Sequence, residues 1–324
     1  MSKIDKIKFP IKQEMKEFDR FFKSSLKSKV PLVDIITNYI LRRKGKRLRP
    51  MFVFLSAKML GEINEASYTA ASLIELLHTA TLIHDDVVDE SYERRGFFSI
   101  NALWKSKIAV LLGDYLLSKG LLLALEKKEF EVLEIVAEAV REISEGELFQ
   151  IQKSRKLDIS ETEYFEIIRK KTATLIAACT ATGAKSIGAA QETISNMKDF
   201  GKHAGIAFQI RDDLFDYQKN GLVGKPRGND IKEKKLTLPL IYSLEKASRK
   251  KRKHILRLIV RQGKSSGYLE EIIRFVEDSG GIDYSIQKMH EYKNIALESI
   301  SSYPENESKL ALIELVNYSI DRKK

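Results

Sequence analysis

The spacing of the apolar residues limits the fold more than any other feature of the chain. Apolar side chains recur three and four positions apart almost throughout, as in residues 71–90, 131–152 and 164–181. That spacing places them on one side of an α-helix, and each of these runs is long enough for three or more turns. Because the chain has only 6 prolines and no persuasive alternating strand pattern, the sequence predicts an all-α protein.

Local signals fit the same interpretation. Ser160 followed by Glu163 resembles a capping box that opens a helix. A glycine-containing loop is predicted over residues 218–230. No change in composition marks a linker and no short repeat is present, so we expect one domain over residues 1–324.

The chain is basic, with a formal net charge of +11. Nucleic acid, an anionic membrane surface or a phosphorylated small molecule could each explain that charge. The block SRKKRKH, residues 248–254, is more typical of a solvated turn than of a binding patch. Since no nucleic-acid-reading motif accompanies it, we expect no nucleic-acid partner.

The cysteine content and hydropathy indicate a compartment. Cys179 is the one cysteine, which excludes an intramolecular disulfide and suits a reducing cytoplasm. The first residues are charged, and no uninterrupted apolar run approaches the roughly 20 residues of a membrane-spanning helix. We therefore expect a cytoplasmic protein whose membrane contact, if any, is peripheral.

An acidic triplet of the form D-D-x-x-D, residues 85–89, follows an apolar helical run. On a helix one stripe would hold His78, Thr81, Leu82, Asp85 and Asp89. Two carboxylates one turn apart repel each other unless a cation lies between them. Alone, this triplet could equally be an exposed acidic helix end.

A second triplet of the same form, residues 212–216, ends another apolar run more than a hundred residues later. Gly201 and Gly205 lie on its stripe, where small residues allow close approach. Two such triplets in one helical bundle predict divalent cations and a phosphate-rich ligand. All-oxygen ligands favour Mg²⁺ over zinc, and several such ions between the two triplets would relieve their mutual repulsion.

Basic residues surround both triplets along the sequence. They are Lys46, Arg49, Arg94, Arg95, Lys171, Lys225 and Lys235. Each alone is more typical of a surface charge. Together they predict sites for two anions, because arginine forks and lysine point charges suit diphosphates.

These motifs resemble those of the trans-isoprenyl (polyprenyl) diphosphate synthases, in particular the long-chain octaprenyl and heptaprenyl type. The resemblance covers nearly the whole chain, through GKRLRP, LIHDDVVDESYERRG, KKTA, FQIRDDLFDY, GKPRGND and TLPL. It implies an antiparallel helical bundle around a deep apolar tunnel, usually as a homodimer. One departure is Lys44, which stands before Gly45 where the family often has a second glycine.

The resemblance also implies roles for individual residues. Isopentenyl diphosphate would contact Lys46, Arg49, His78 and Arg95. Mg²⁺ would bind Asp85, Asp89, Asp212 and, through water, Asp216. The allylic diphosphate site would comprise Arg94, Lys171, Thr172, Gln209, Lys225 and Lys235. Of these, Lys171, Thr172 and Gln209 would be catalytic, and the loop at 218–230 would close over the diphosphates.

The expected reaction is a condensation of isopentenyl diphosphate with an allylic prenyl diphosphate. Cations stabilise the departing diphosphate, while the Gln209 carbonyl and the Thr172 hydroxyl offset the allylic carbocation. A dry tunnel keeps out water that would quench this cation.

Product length depends on residues one or two turns before Asp85, since one isoprene unit extends about 5 Å, roughly one helical turn. Short-chain relatives carry an aromatic residue at the position of Ala80. Neither Ala80 nor Thr81 fills a tunnel, so we expect a product of about C30–C45 for a quinone side chain. A deeper floor could be formed by Leu77, Ile74 or residues on other helices such as Leu123 and Val136. Ala80→Phe should shorten it.

Other functions fit less well. A geranylgeranyl or farnesyl diphosphate synthase would differ only in tunnel depth and stays open. A terpene cyclase has no use for Lys46, Arg49 and His78. A non-catalytic partner subunit loses one or both acidic triplets, and this chain keeps both.

Overall fold

The computed structural model describes residues 2–42, 45–94, 96–154, 157–217, 228–261 and 267–320. Within these ranges the chain is built of helices, with one two-stranded hairpin, β1 (Glu93–Arg94) and β2 (Phe97–Phe98). The predicted all-α class is confirmed.

The helices follow one another along the chain. The first half of the chain holds α1 (Lys3–Ile7), α2 (Lys12–Ser25), α3 (Pro31–Arg42), α4 (Leu48–Leu60), α5 (Glu65–Val88), α6 (Ile100–Glu126) and α7 (Phe130–Ser154). The second holds α8 (Glu161–Ile168), α9 (Thr174–Ser186), α10 (Gln191–Phe215), α11 (Asn229–Lys232), α12 (Leu238–Lys246), α13 (Arg249–Arg261), α14 (Gly267–Asp278), α15 (Gly281–Ser299) and α16 (Glu307–Ile320). A 3-10 turn, Phe9–Ile11, precedes α2, and a π-helical turn, Arg169–Ala173, joins α8 to α9.

The chain divides into two compact units. The first comprises Met1–Val140, Leu175–Gly201 and Ser302–Tyr318, and the second comprises Arg141–Thr174, Lys202–Ser301 and Ser319–Lys324. The single domain expected from the sequence stays a prediction.

The core of the first unit is built on α4 and α5. Every residue from Pro50 to Ala57 is buried on α4, and every residue from Thr69 to Leu77 is buried on α5. Helices that are apolar on all sides are stable only inside a larger bundle, which explains why both lie in the core. Truncating a fully buried side chain such as Leu76 to alanine would cost about 2–5 kcal/mol.

Helix α6 also belongs to the first unit, but much of its surface is exposed. It is long and apolar enough to cross a membrane by length and composition, and only 33% of its apolar window is buried. A count of uninterrupted apolar residues misses this property, because charged residues such as Asp114 interrupt the run. Gly113 and Gly120 lie where α5 side chains touch α6, so a β-carbon at Gly113 would meet Nε2 of His84 at 2.1 Å.

In the second unit, helix α8 begins with the predicted capping box. The backbone N–H of Glu163 donates to Oγ of Ser160 at 3.3 Å, and that of Ser160 donates to Glu163 Oε2 at 2.9 Å. The interpretation of residues 248–254 as a solvated turn is wrong, since α13 begins at Arg249. The apolar residues Ile255, Leu258 and Ile259 lie buried on its inner side and stabilise it as a helix.

Candidate active site

The first acidic triplet lies at the C-terminal end of α5. Asp86 is buried, Asp85 is half-buried, and Asp89 is exposed just past the last helical residue. The backbone N–H of Asp89 donates to the carbonyl of Asp85 at 2.8 Å, which closes the last turn. The predicted one-turn spacing of Asp85 and Asp89 is therefore present.

The second triplet occupies the corresponding end of α10. Asp212 is exposed and Asp213 is buried, while Asp216 follows the helix and is half-buried. The two carboxylate oxygens of Asp216 accept the backbone N–H groups of Asn229 at 2.7 Å and Asp230 at 3.2 Å. Asp216 thus holds the start of the short helix α11.

Both triplets oppose the dipole of the helix that carries them. The C-terminus of a helix bears partial negative charge, where cations stabilise and carboxylates destabilise. Neither α5 nor α10 has a basic residue in its last turn. Each helix end therefore favours a bound cation.

The donor set suits a hard divalent cation. Among the described residues no three Asp, Glu, His or Cys side chains gather into a metal-sized cluster. Mg²⁺ commonly takes one or two carboxylates, keeps several waters and completes its shell with phosphate oxygens. The exposed Asp89 and Asp212 fit that mode. The binding of one diphosphate by both triplets, through bound metal ions, stays a prediction.

A hydrogen-bonded chain connects Thr172 to the second triplet. The hydroxyl of Thr172 donates to Oε1 of Gln209 at 2.6 Å, and Nε2 of Gln209 donates to Oδ1 of Asp213 at 2.7 Å. The buried hydroxyl of Tyr164 donates to Oδ2 of Asp213, also at 2.7 Å. Because both donors converge on Asp213, the Gln209 carboxamide is held with its carbonyl towards Thr172.

Burial dominates the electrostatics of this chain of bonds. It raises the pKa of Asp213 well above its ordinary value, and nearby Asp230 raises it further, against the lowering by the two hydrogen bonds. Burial beside Asp213 also raises the pKa of Tyr164. Sequence reasoning missed Tyr164 and gave Asp213 no role beyond its place in the triplet. A tyrosine inside an otherwise apolar helix face was the available signal.

Lys171 and Thr172 lie on the π-helical turn, a rare conformation that often marks functional positions. Glycines allow neighbouring helices to approach it. A β-carbon at Gly146 would lie 2.8 Å from Cβ of Lys170, and one at Gly205 would lie 2.5 Å from Cα of Ala173. The expected close approach at Gly205 is confirmed, and this packing fixes the turn.

The predicted diphosphate-binding lysines have protein partners in this structure. Nζ of Lys171 lies 2.6 Å from Oε1 of Glu147 and donates to Gln150 at 3.0 Å. Nζ of Lys235 donates to Oε2 of Glu233 at 2.5 Å. Both lysines are about one-third exposed, so these ion pairs are worth about 1 kcal/mol or less and a diphosphate could replace them.

The predicted isopentenyl diphosphate residues Lys46, Arg49 and His78 all belong to the first unit. Lys46 is exposed and donates to the hydroxyl of Tyr318 at 2.6 Å. Arg49, in the first turn of α4, and His78, on α5, are half-buried. Lys44, Arg95 and Lys225, most of the 218–230 loop, and the side chain of Arg94 lie outside the described residues.

Arg47 lies in the sequence between Lys46 and Arg49, which are predicted to bind isopentenyl diphosphate, but Arg47 itself has a structural role. It pairs with the buried Glu75 of α5, and its guanidinium carbon lies 4.9 Å from the ring centre of Phe22. Glu75 is an isolated acid in an apolar run, and this feature of the sequence indicated that a basic partner would be needed. Breaking a buried pair of this kind costs about 3–5 kcal/mol.

The three predicted chain-length residues differ in exposure. Ala80 is 0% exposed and Leu77 is 3% exposed, so protein atoms cover both. Thr81 is half-buried and therefore borders open space. A cavity against Leu76 and Thr79 of α5 holds only about 10 Å³, too little for a prenyl chain. The deep tunnel stays a prediction.

Comparison with known proteins gives a consistent result. A family-level sequence model described as polyprenyl synthetase matches residues 30–276, which include both triplets. The chain is 36% identical to the all-trans-nonaprenyl-diphosphate synthase (geranyl-diphosphate specific) of Rhodobacter capsulatus over 315 residues, 97% of this chain and 96% of that one. It is 33% identical to the octaprenyl diphosphate synthase of Escherichia coli K12 over 320 residues, 98% of this chain and 99% of that one.

A solved structure agrees with these sequence matches. It is the polyprenyl synthase from Caulobacter crescentus CB15, complexed with calcium and isoprenyl diphosphate. The two chains superpose with a TM-score of 0.91 at 32% identity, covering 99% of this chain and 98% of the other.

Proposed function

Because the chain belongs to the polyprenyl synthetase family, we propose that it joins isopentenyl diphosphate head to tail to an allylic prenyl diphosphate. Membership makes it a prenyltransferase, a polyprenyl diphosphate synthase. The proposed product is a long all-trans chain of about thirty to forty-five carbons, suited to a quinone side chain, in line with the octaprenyl and nonaprenyl relatives.

One observation carries the proposal: two acidic triplets end long helices that have no basic residue in their last turn. We propose that each binds Mg²⁺, about three ions in all, through Asp85 and Asp89 at one end and Asp212 and Asp216 at the other. The calcium in the Caulobacter enzyme supports a divalent metal. When bound, such ions supply positive charge that stabilises the departing diphosphate.

The chain's own polar groups complete the chemistry. Gln209, fixed by Asp213, presents its carbonyl oxygen beside the hydroxyl of Thr172. Fixed oxygens of this kind offset positive charge on an allylic carbon without reorganising. Lys171 would exchange its ion pair with Glu147 for the leaving diphosphate.

The test is an incubation with Mg²⁺, isopentenyl diphosphate and farnesyl diphosphate, followed by chromatography of the product. We expect a long prenyl product, and none after chelation of the metal. Asp85→Asn should lower turnover by about a thousandfold. Asp278→Asn, the same change at the exposed end of α14, is the control and should be fully active. Activity in chelator, or equal activity of the two variants, would contradict the proposal.

Exposure on α5 identifies the variant that tests chain length. Ala80→Phe must overpack a covered position, which typically costs about 1–3 kcal/mol. Thr81→Phe adds a ring next to open space and should shorten the product by at least one isoprene unit. Thr79→Phe makes the same change on another face of α5 and should leave chain length unaltered. Identical product chain lengths from both variants would show that Thr81 does not limit chain length.

We further propose that the enzyme is a cytoplasmic homodimer formed through α6. One face of this helix exposes Val110, Leu111, Leu121, Leu122 and Leu125, each between 41% and 60%. Asp114 lies on the same face, 3.5 Å from His84. An acidic side chain on this face suits a protein interface better than contact with lipid. Leu121→Glu should yield monomers in sedimentation analysis. Leu310→Glu, on α16, is the control, and an unchanged oligomer with both would exclude this face.

A further inference from the structure

Helix α13 carries a concentration of positive charge that the proposed chemistry does not use. Its sequence, RKKRKHILRLIVR, has seven lysines and arginines and no acidic residue. The helix is anchored by its inner side, where Ile255, Leu258 and Ile259 are buried in the second unit. Its orientation is therefore fixed.

The cations that flank the inner side have partners within the protein. Arg252 lies 3.4 Å from Asp158, and Lys251 lies 3.8 Å from Glu271, which also accepts from His254 at 2.8 Å. These contacts neutralise the edges of the helix.

The outward cations differ from the flanking ones. At 100° per residue they lie on the side opposite the buried residues, and we call them the basic stripe: Arg249, Lys250, Lys253, Arg257 and Arg261. All five are exposed, and none forms an ion pair within the described ranges. They extend over about 18 Å, at 1.5 Å per residue.

This arrangement is unfavourable in isolation. Cations at a helix N-terminus oppose the dipole, and the first turn of α13 has no acidic residue. Like charges three or four positions apart, such as Lys250, Lys253 and Arg257, also repel one another. An anionic surface would relieve both effects at once.

We propose that the basic stripe docks the enzyme on an anionic membrane surface. This inference rests on the proposed function, because a released prenyl diphosphate whose chain has thirty or more carbons belongs in a bilayer rather than in water. A rigid row of cations on one helix face matches a plane of lipid headgroups. Val260, 57% exposed between Arg257 and Arg261, adds an apolar contact. The stripe has no aromatic residue for stacking on bases, so lipid is favoured over nucleic acid.

The experiment measures binding of the full chain to sedimenting vesicles of neutral phosphatidylcholine, with and without anionic phosphatidylglycerol. We expect binding to the anionic vesicles only, weakened by added salt. The triple variant Lys250→Gln, Lys253→Gln, Arg257→Gln should lose about a hundredfold in affinity, at about fivefold for each charge.

The matched control is Lys12→Gln, Lys16→Gln, Lys23→Gln on α2. It also removes three exposed positive charges that form no ion pair with any described residue, and it should bind like the wild type. Equal loss in the two variants, or wild-type binding to RNA and not to vesicles, would overturn the proposal.

Turnover in detergent separates this proposal from the proposed function. The stripe variant should keep wild-type turnover with a short allylic primer. Absence of prenyl transfer by the wild type would instead defeat the proposed function, whatever the vesicles show.

Discussion

The ends of α5 and α10 carry the same D-D-x-x-D sequence, yet they use its carboxylates differently. At the end of α10, Asp213 accepts hydrogen bonds from Tyr164 and Gln209, and Asp216 caps the next helix. At the end of α5, the third acid, Asp89, stands exposed beyond the last turn. One end has its second and third acids in hydrogen bonds, whereas the third acid at the other end is exposed.

The difference shows what a motif specifies. The D-D-x-x-D motif places acids at a helix end, where the helix dipole favours a cation. Neighbouring residues then decide which oxygens remain available to a ligand and which orient another side chain. The two triplets are therefore expected to respond differently to the same substitution.

The largest expected difference concerns the third acid of each triplet. Asp89→Asn removes an exposed candidate ligand and should raise the Mg²⁺ concentration for half-maximal activity by about a hundredfold. Asp216→Asn should raise it by about tenfold at most, because its oxygens already accept two backbone N–H groups. Metal titrations of turnover measure both values. A larger shift for Asp216→Asn would reverse the comparison.

A different kind of effect, on kcat rather than on the Mg²⁺ requirement, is expected at Asp213. Asn cannot accept both hydrogen bonds on one oxygen in the same geometry, so Asp213→Asn should release the Gln209 carboxamide. We expect kcat to fall about a hundredfold, with little change in KM for either substrate. Steady-state kinetics check this split. An increase in KM at unchanged kcat would assign Asp213 to substrate binding instead.

Tyr164→Phe tests the same network more gently. The change removes one hydrogen bond to Asp213 and keeps the aromatic contact with Phe165, whose ring centre lies 5.4 Å away. We expect kcat to fall about tenfold and the free energy of unfolding to fall by about 1–3 kcal/mol, since a buried acceptor loses its donor.

The control for Tyr164 is Tyr284→Phe. It removes a hydroxyl that donates to Glu161 at the same distance, 2.7 Å, away from the triplet. It should lower stability by about 1 kcal/mol without affecting kcat. If kcat is unchanged in both variants, Tyr164 is only structural.

The sequence predicted the elements well because helix periodicity and capping are local. The S-x-x-E signal at Ser160 opens α8 as expected, and both acidic triplets end helices. The close approach predicted at Gly205 is also present, since only a residue without a β-carbon fits against Ala173.

Partners that depend on tertiary contacts could not be predicted. Nothing local joins Tyr164 to Asp213, which lie 49 positions apart. The role of Arg47 depends likewise on Glu75, 28 positions away on another helix. The basic stripe on α13 faces outward because the second unit buries the apolar residues on the opposite side of the helix. The segment SRKKRKH alone does not show which side of the helix is buried.

The smallest effect concerns the start of α8, which sets the position of Tyr164. Lys153 and the Ser160 N–H hold the pKa of Glu163 down to about 2, below its ordinary 4.5. A lowered pKa stabilises the fold above the ordinary value, and that contribution is lost as the pH falls towards 2. Glu163→Ala should therefore cost about 1 kcal/mol near neutral pH and nothing near pH 2, as urea unfolding at several pH values would measure. Glu134→Ala, an exposed acid on α7, is the control. A pH-independent cost would mean that packing, rather than the ionised cap, holds this helix start in place beneath the triplet.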